Sequence, residues 1–93
     1  MNDTAGRLDT VEMFCAAARA GSFTAAAAVL GTTPSAISKA VRRLEDRLGV
    51  KLFARTTRAI RLTDDGQAYY HTCSQALENI HDIERSLTGH RLP

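Results

Sequence analysis

Apolar residues recur at three- and four-residue steps near the start of the chain, at Leu8, Val11, Phe14, Cys15 and Ala18. This period places them on one stripe of a helix running from about Leu8 to Ala20. Gly21 follows as a C-terminal stop. Ser22 then caps a second helix from Phe23 to Leu30, whose four consecutive alanines, 25–28, favour helix and allow a neighbour to pack closely. Gly31 stops that helix. The third has the strongest start signal: Thr33 as N-cap and Pro34 at the first helical position, where a missing N–H costs nothing. Ile37, Val41, Leu44 and Leu48 share one face, while Ser35, Ser38, Lys39 and Arg42 share another. Gly49 closes it.

The period then changes. Ile60 and Leu62 alternate with Arg61, the pattern of a half-exposed strand. The segments from Lys51 to Arg55 and from Ala59 to Leu62 predict a two-stranded hairpin with a basic tip at Thr56, Thr57 and Arg58. Such a hairpin is marginal alone and must pack on the helices. Thr63 caps a last helix, with Asp64 and Asp65 where the dipole favours anions, and it continues to about Leu87. Along it Tyr69, Cys73, Ala76, Ile80, Ile83 and Leu87 step by four, three, four, three and four, which is an a/d seam. Gly89 to Pro93 reads as a flexible exit. The seam fits a dimer interface or the buried face of a monomer's final helix. The dimer is favoured, because so long a helix would overhang a small domain that already has its own core.

Composition sets limits on these elements. The chain has 93 residues, 44% of them hydrophobic, enough for one domain with one modest core and too few for a doubly wound sheet or a barrel enzyme. No apolar run approaches the roughly 20 residues of a membrane span, and the start has no secretory pattern. The expected location is therefore the cytoplasm. Two cysteines are no disulfide framework. Cys15 reads as core, and Cys73 reads as a buried thiol rather than a redox switch.

The net charge of +2 conceals a segregation. Between Thr32 and Arg61, eight basic residues face only Glu45 and Asp46, a local charge of +6. The first 31 residues carry −1 and the last 32 carry −3. A basic middle suits a polyanion, although charge alone fits a solvated face equally well. Spacing adds to it. Ala27, Gly31 and Ile37 supply the small contact residue, the turn residue free to take positive φ and the branched anchor that a helix–turn–helix needs. An ordinary helix pair is the alternative. It would usually mix charge signs on its exposed face, whereas the third helix shows hydroxyls, Lys39 and Arg42 without acids. The hairpin makes the unit winged. Arg58 at its tip is placed for a minor groove, and Arg55 for a phosphate, unless Arg55 or Arg58 instead pairs with Glu45 or Asp46 to fasten the wing.

The ordered series Ser22-Phe23-Thr24-Ala25-Ala26-Ala27, Thr33-Pro34-Ser35-Ala36-Ile37-Ser38-Lys39-Ala40-Val41, Arg43-Leu44-Glu45, Leu48-Gly49-Val50-Lys51-Leu52-Phe53-Ala54-Arg55 and Leu62-Thr63-Asp64-Asp65-Gly66 resembles the DNA-binding domain of LysR-type transcriptional regulators. The resemblance covers about Leu8 to Leu87. It implies a mainly α fold: a winged helix–turn–helix of three helices plus a two-stranded wing in residues 1–63, a dimerising linker helix in 64–88, and a hinge in 89–93 toward an effector-binding domain outside this chain. It further implies a homodimer through antiparallel linker helices, double-stranded DNA with a partly palindromic operator as partner, and a small-molecule coinducer sensed only by the other domain. Ser38 stands where the family has a Ser or Thr facing the groove. Lys39 replaces the usual Arg, a point charge in place of a planar fork. Pro34 replaces a frequent Gln and can touch a thymine methyl. Arg42 and Arg58 fit groove and wing contacts. The expected DNA-binding set is Thr33, Pro34, Ser35, Ser38, Lys39, Arg42, Arg55 and Arg58. The expected dimer interface is Tyr69, Cys73, Ala76, Ile80, Ile83 and Leu87.

Other chemistry lacks its residues. His71 and Cys73 point to different sides of a helix, and His81 and His90 complete no tetrahedral set, so no metal is expected. No phosphate-cradling glycine loop, nucleophile elbow or His partner for Ser38 is present, so neither an enzyme nor a cofactor is expected. The rival function is a dimeric protein-interaction module docking an acidic partner.

Overall fold

The computed structural model describes residues 3–56 and 59–91. The order is α1 (Asp3–Ala20), α2 (Phe23–Leu30), α3 (Pro34–Leu48), β1 (Phe53–Arg55), β2 (Ile60–Leu62) and α4 (Asp64–Arg91). This is the expected winged helix–turn–helix followed by a long helix. Two ends differ from expectation. α1 begins at Asp3 rather than near Leu8, because its first turns carry no apolar stripe to announce them. The side chain of Leu8 lies outside the described residues. α4 passes through Gly89 to Arg91, so 89–91 is helical rather than a flexible exit. One glycine inside a helix costs about 1 kcal/mol relative to alanine and does not stop it.

The turn between α2 and α3 forms for local reasons. Gly31 takes φ 69°, and its amide reaches the Ala27 carbonyl. The Thr32 amide meets the same oxygen at 3.0 Å. Thr33 is extended, and its hydroxyl accepts from the Ala36 amide at 3.1 Å. Ala27 and Ile37 are buried, as a steep helix crossing requires.

Phe14 of α1 is fully buried and organises the core. Its ring lies 5.3 Å from Phe53 of the wing and 5.4 Å from Tyr69 of α4, centroid to centroid. Such tilted pairs contribute about 0.5–1.5 kcal/mol beyond the area they bury. Ile37, Val41 and Leu44 fill the α3 side, as their spacing predicts, while Leu48 is partly exposed. Cys15 is buried, and burial pushes its thiol up to about 11, with Cys73 adding to the shift. Cys73 is also buried and raised by burial, opposed by a hydrogen bond with Tyr69. Both thiols are free.

The hairpin is antiparallel, with Phe53 opposite Leu62 and Arg55 opposite Ile60. It is shorter than expected at Leu52, whose amide is committed to Glu45 while its carbonyl keeps the hairpin register with Thr63. The Leu52 carbonyl accepts from the Thr63 amide at 3.0 Å, and its amide donates to Glu45. At the outer end Thr56 and Ala59 close the turn, with the Thr56 amide 2.9 Å from the Ala59 carbonyl. Thr63 fastens wing to α4, donating to the Lys51 carbonyl at 2.6 Å and accepting from the Gly66 amide at 2.9 Å. Gly66 has to be glycine, because a Cβ there would sit 2.0 Å from the Leu52 carbonyl oxygen. No helix among the described residues is long and apolar enough to cross a membrane.

Two outcomes follow from this packing. Gly66→Ala should destabilise the domain by about 1–3 kcal/mol or more, read as a lower urea midpoint, because the clash is with backbone that cannot rotate away. Cys15 and Cys73 should resist maleimide at pH 7.5 until the domain unfolds, since both stay protonated and covered. Rapid labelling with helical content intact would contradict their placement.

Candidate nucleic-acid interface

The outward face of α3 begins at its N-terminus. Thr33, Pro34 and Ser35 are exposed, Lys39 and Arg42 are exposed one and two turns later, and Ser38 is half-buried between them and the wing. The first turn of α3 holds no acidic residue. The structure therefore brings six of the eight expected contact residues onto one surface. Arg43, Lys51 and Arg61 are also exposed, and all lie in the basic segment without having been singled out. Arg43 lies beside a groove between α1 and α3 that Asp9, Ser35 and Lys39 also line. Arg58, expected at the wing tip, lies outside the described residues.

Arg55 is placed differently from the expected phosphate clamp. Its Nη1 donates to Ser38 Oγ at 3.0 Å, its Nη2 lies 3.6 Å from Glu45 Oε1, and its guanidinium sits 5.0 Å over the Phe23 ring. The alternative pairing with Glu45 is the one that forms. The reason is that Glu45 is buried, with 3% of its surface exposed. Its Oε2 accepts from the Leu52 amide at 2.8 Å and the Phe53 amide at 3.2 Å. A buried carboxylate must be paired, and Arg55 is the cation within reach. The charge sum of the basic segment does not distinguish the buried Glu45 from the exposed Asp46. The available signal was its spacing, four residues after Val41 and so on the buried side of the helix.

The expected dimer seam splits in two. Cys73 is buried and Tyr69 is half-buried against the core of their own domain, joined by Leu77, which the seam did not include. This half follows the monomer alternative, because the first turns of α4 lie on α1. Ala76 is exposed, and Ile80, Ile83 and Leu87 are 37%, 54% and 52% exposed. On the same side of the domain Val29 is 78% exposed, and it lines an apolar groove with Leu30, Ala16 and Leu77. Among the described residues no group of three His, Cys, Asp or Glu side chains could hold a metal ion.

A helix–turn–helix with a wing, a basic outward helix and a long trailing helix defines a class of bacterial regulatory proteins. Residues 8–67 match the family model described as bacterial regulatory helix-turn-helix protein, lysR family, and the chain belongs to that family. It is 43% identical over 83 residues to the HTH-type transcriptional repressor PA14_22550 of Pseudomonas aeruginosa (strain UCBPP-PA14), a match covering 89% of this chain and 26% of that protein. It is also 43% identical over 81 residues to the HTH-type transcriptional activator AaeR of Escherichia coli (strain K12), covering 87% of this chain and 26% of that protein. The chain thus spans about a quarter of the length of these relatives. Among solved structures, the CbnR DNA-binding domain in its DNA complex superposes with a TM-score of 0.78 at 33% identity, covering 90% of this chain and 98% of that one.

Glu45→Ala should cost about 3–5 kcal/mol in urea unfolding, since it strands the Arg55 charge and two buried amides. A loss below about 1 kcal/mol would mean that water replaces the carboxylate without penalty.

Proposed function

We propose that this chain is the DNA-binding domain of a LysR-type transcriptional regulator and binds double-stranded DNA sequence-specifically as a homodimer. The observation that carries this reading is the α3 face, where Thr33, Pro34, Ser35, Lys39 and Arg42 are exposed and the first turn of the helix holds no acid. In this reading α3 enters a major groove, with Thr33, Ser35 and Ser38 offering hydroxyls, Lys39 and Arg42 offering cationic donors and Pro34 offering an apolar ring. Arg58 enters the neighbouring minor groove. Arg55 supports the surface from inside. The relatives' names, one a repressor and one an activator, support regulation of transcription and leave its sign open.

Residues 1–63 form the DNA-binding unit in this reading, and 64–88 the linker that pairs two copies. With 28 residues, α4 is about 42 Å long and carries Ile80, Ile83 and Leu87 beyond the core that covers Cys73 and Leu77. A second α4 packed antiparallel would cover them and set two α3 helices against a partly palindromic operator. A coinducer would act only through a further domain. The protein would work in the cytoplasm, without catalytic activity of its own.

Binding should fall with salt at roughly −0.9 in log K per neutralised phosphate, so about five phosphates per subunit give a dimer slope of roughly −9. A measured slope of about −2 would contradict the interface. Lys39→Ala and Arg42→Ala should each cost about 1–3 kcal/mol and relax base preference, while Arg58→Ala should weaken binding with less change in preference. Selection from random duplexes should enrich one motif with dyad symmetry. Ile80→Asp should leave a monomer in sedimentation equilibrium.

A further inference from the structure

We infer that the groove beside Val29 and Leu30 is a seat for Leu87 of the partner subunit, so that the dimer is held by α2 as well as by α4. The inference rests on the homodimer proposed above and says how its two copies meet. The groove encloses about 380 Å³ between the end of α1, the end of α2 and the middle of α4. Its walls are apolar, made by Ala16, Val29, Leu30 and Leu77. Val29 is 78% exposed, so its own domain leaves it uncovered, and α2 ends on two outward apolar residues. The groove is continuous with the exposed seam of α4. Leu77 lies three residues before Ile80, and side chains at that spacing are neighbours on a helix.

Size and spacing name the occupant. The exposed seam consists of Ala76, Ile80, Ile83 and Leu87. Stable interfaces draw on about 20–30 residues a side, so one helix edge leaves most of a dimer's area to be found elsewhere. In an antiparallel pair, setting Ile80 of one copy against Ile83 of the other also sets Ala76 against Leu87. All four then meet apolar partners. Sliding the pair by a heptad would instead set Ile83 against Cys73 and Leu87 against Tyr69, which already belong to the packed core. Ala76 is too short to fill the space beside Leu77, so the partner's Leu87 passes over it into the groove. Charge agrees with this register. The rim carries Arg19 and His81 as well as Glu12. Glu84 lies seven residues after Leu77, on the same flank of α4, and like flanks face each other in an antiparallel pair. The partner's Glu84 therefore comes toward Arg19, the permanent cation of the rim.

The test uses the whole chain in sedimentation equilibrium. Val29→Glu should raise the dimer dissociation constant by about 10-fold or more and leave the urea midpoint unchanged, because so exposed a residue serves the interface and not the fold. Ala76→Leu should also weaken the dimer, although it adds apolar surface, because it takes the place of the partner's Leu87. Mixing Ala76→Cys with Leu87→Cys and a short bismaleimide should link two copies, which neither variant does alone. Cys15 and Cys73 are buried and stay out of the reaction. The inference is overturned if Val29→Glu leaves the dimer unchanged, if Ala76→Leu tightens it, or if the mixed variants do not link. The first of these outcomes would leave the groove to a further domain of the regulator. A chain that stays monomeric, or a dimer indifferent to Ile80→Asp, would overturn the dimer reading and this inference with it. A dimer that Ile80→Asp breaks and Val29→Glu does not overturns the inference alone.

Discussion

The Glu45 carboxylate sits where the chain leaves α3 and starts the wing, and it accepts the amides of Leu52 and Phe53 there. Those two donors are buried and lie outside any helix, so each would lose about 1–3 kcal/mol without a partner. The same carboxylate draws in Arg55 from the far end of β1. Arg55 in turn covers Phe23 at the start of α2 and holds Ser38 in the middle of α3. One buried charge therefore connects α2, α3 and the wing. The desolvation of Glu45 is offset by two amides and a guanidinium.

The aromatic cluster does the corresponding work on the other side. Phe14 meets Phe53 of the wing and Tyr69 of α4, and Phe53 meets Phe23 at 6.0 Å in an edge-on pair. The wing is thus gripped from below by rings and at its base by Thr63 and the close approach of Gly66 to Leu52. A three-residue strand pair would not persist on its own hydrogen bonds. The long helix is fixed by the same contacts, because Tyr69, Cys73 and Leu77 bury its first turns against α1. Its remaining turns leave Ile80, Ile83 and Leu87 exposed.

Most of the framework was legible in the chain. Thr33-Pro34 and Gly31 mark the helix–turn–helix because their backbone preferences are local, and Ile37, Val41 and Leu44 mark its buried face because the helical period is fixed. The hairpin was legible in outline only, as Leu52 has the composition of a strand residue but spends its amide on Glu45. The end of α4 is not legible in the chain, because Gly89 resembles a stop yet the helix continues through it to Arg91.

The sequence by itself determined the elements, the basic middle and the row of hydroxyl and cationic residues along α3, since these depend on neighbours within a few residues. Only the tertiary structure decided which charges are available to a partner. Arg55 and Arg42 look alike in the chain, yet one is locked to a buried carboxylate and the other faces solvent. Likewise, Cys73 and Leu87 occupy equivalent steps of one seam two heptads apart, yet the first is buried in the core and the second is 52% exposed. Burial is a property of what packs across the helix, and spacing along the chain cannot report it.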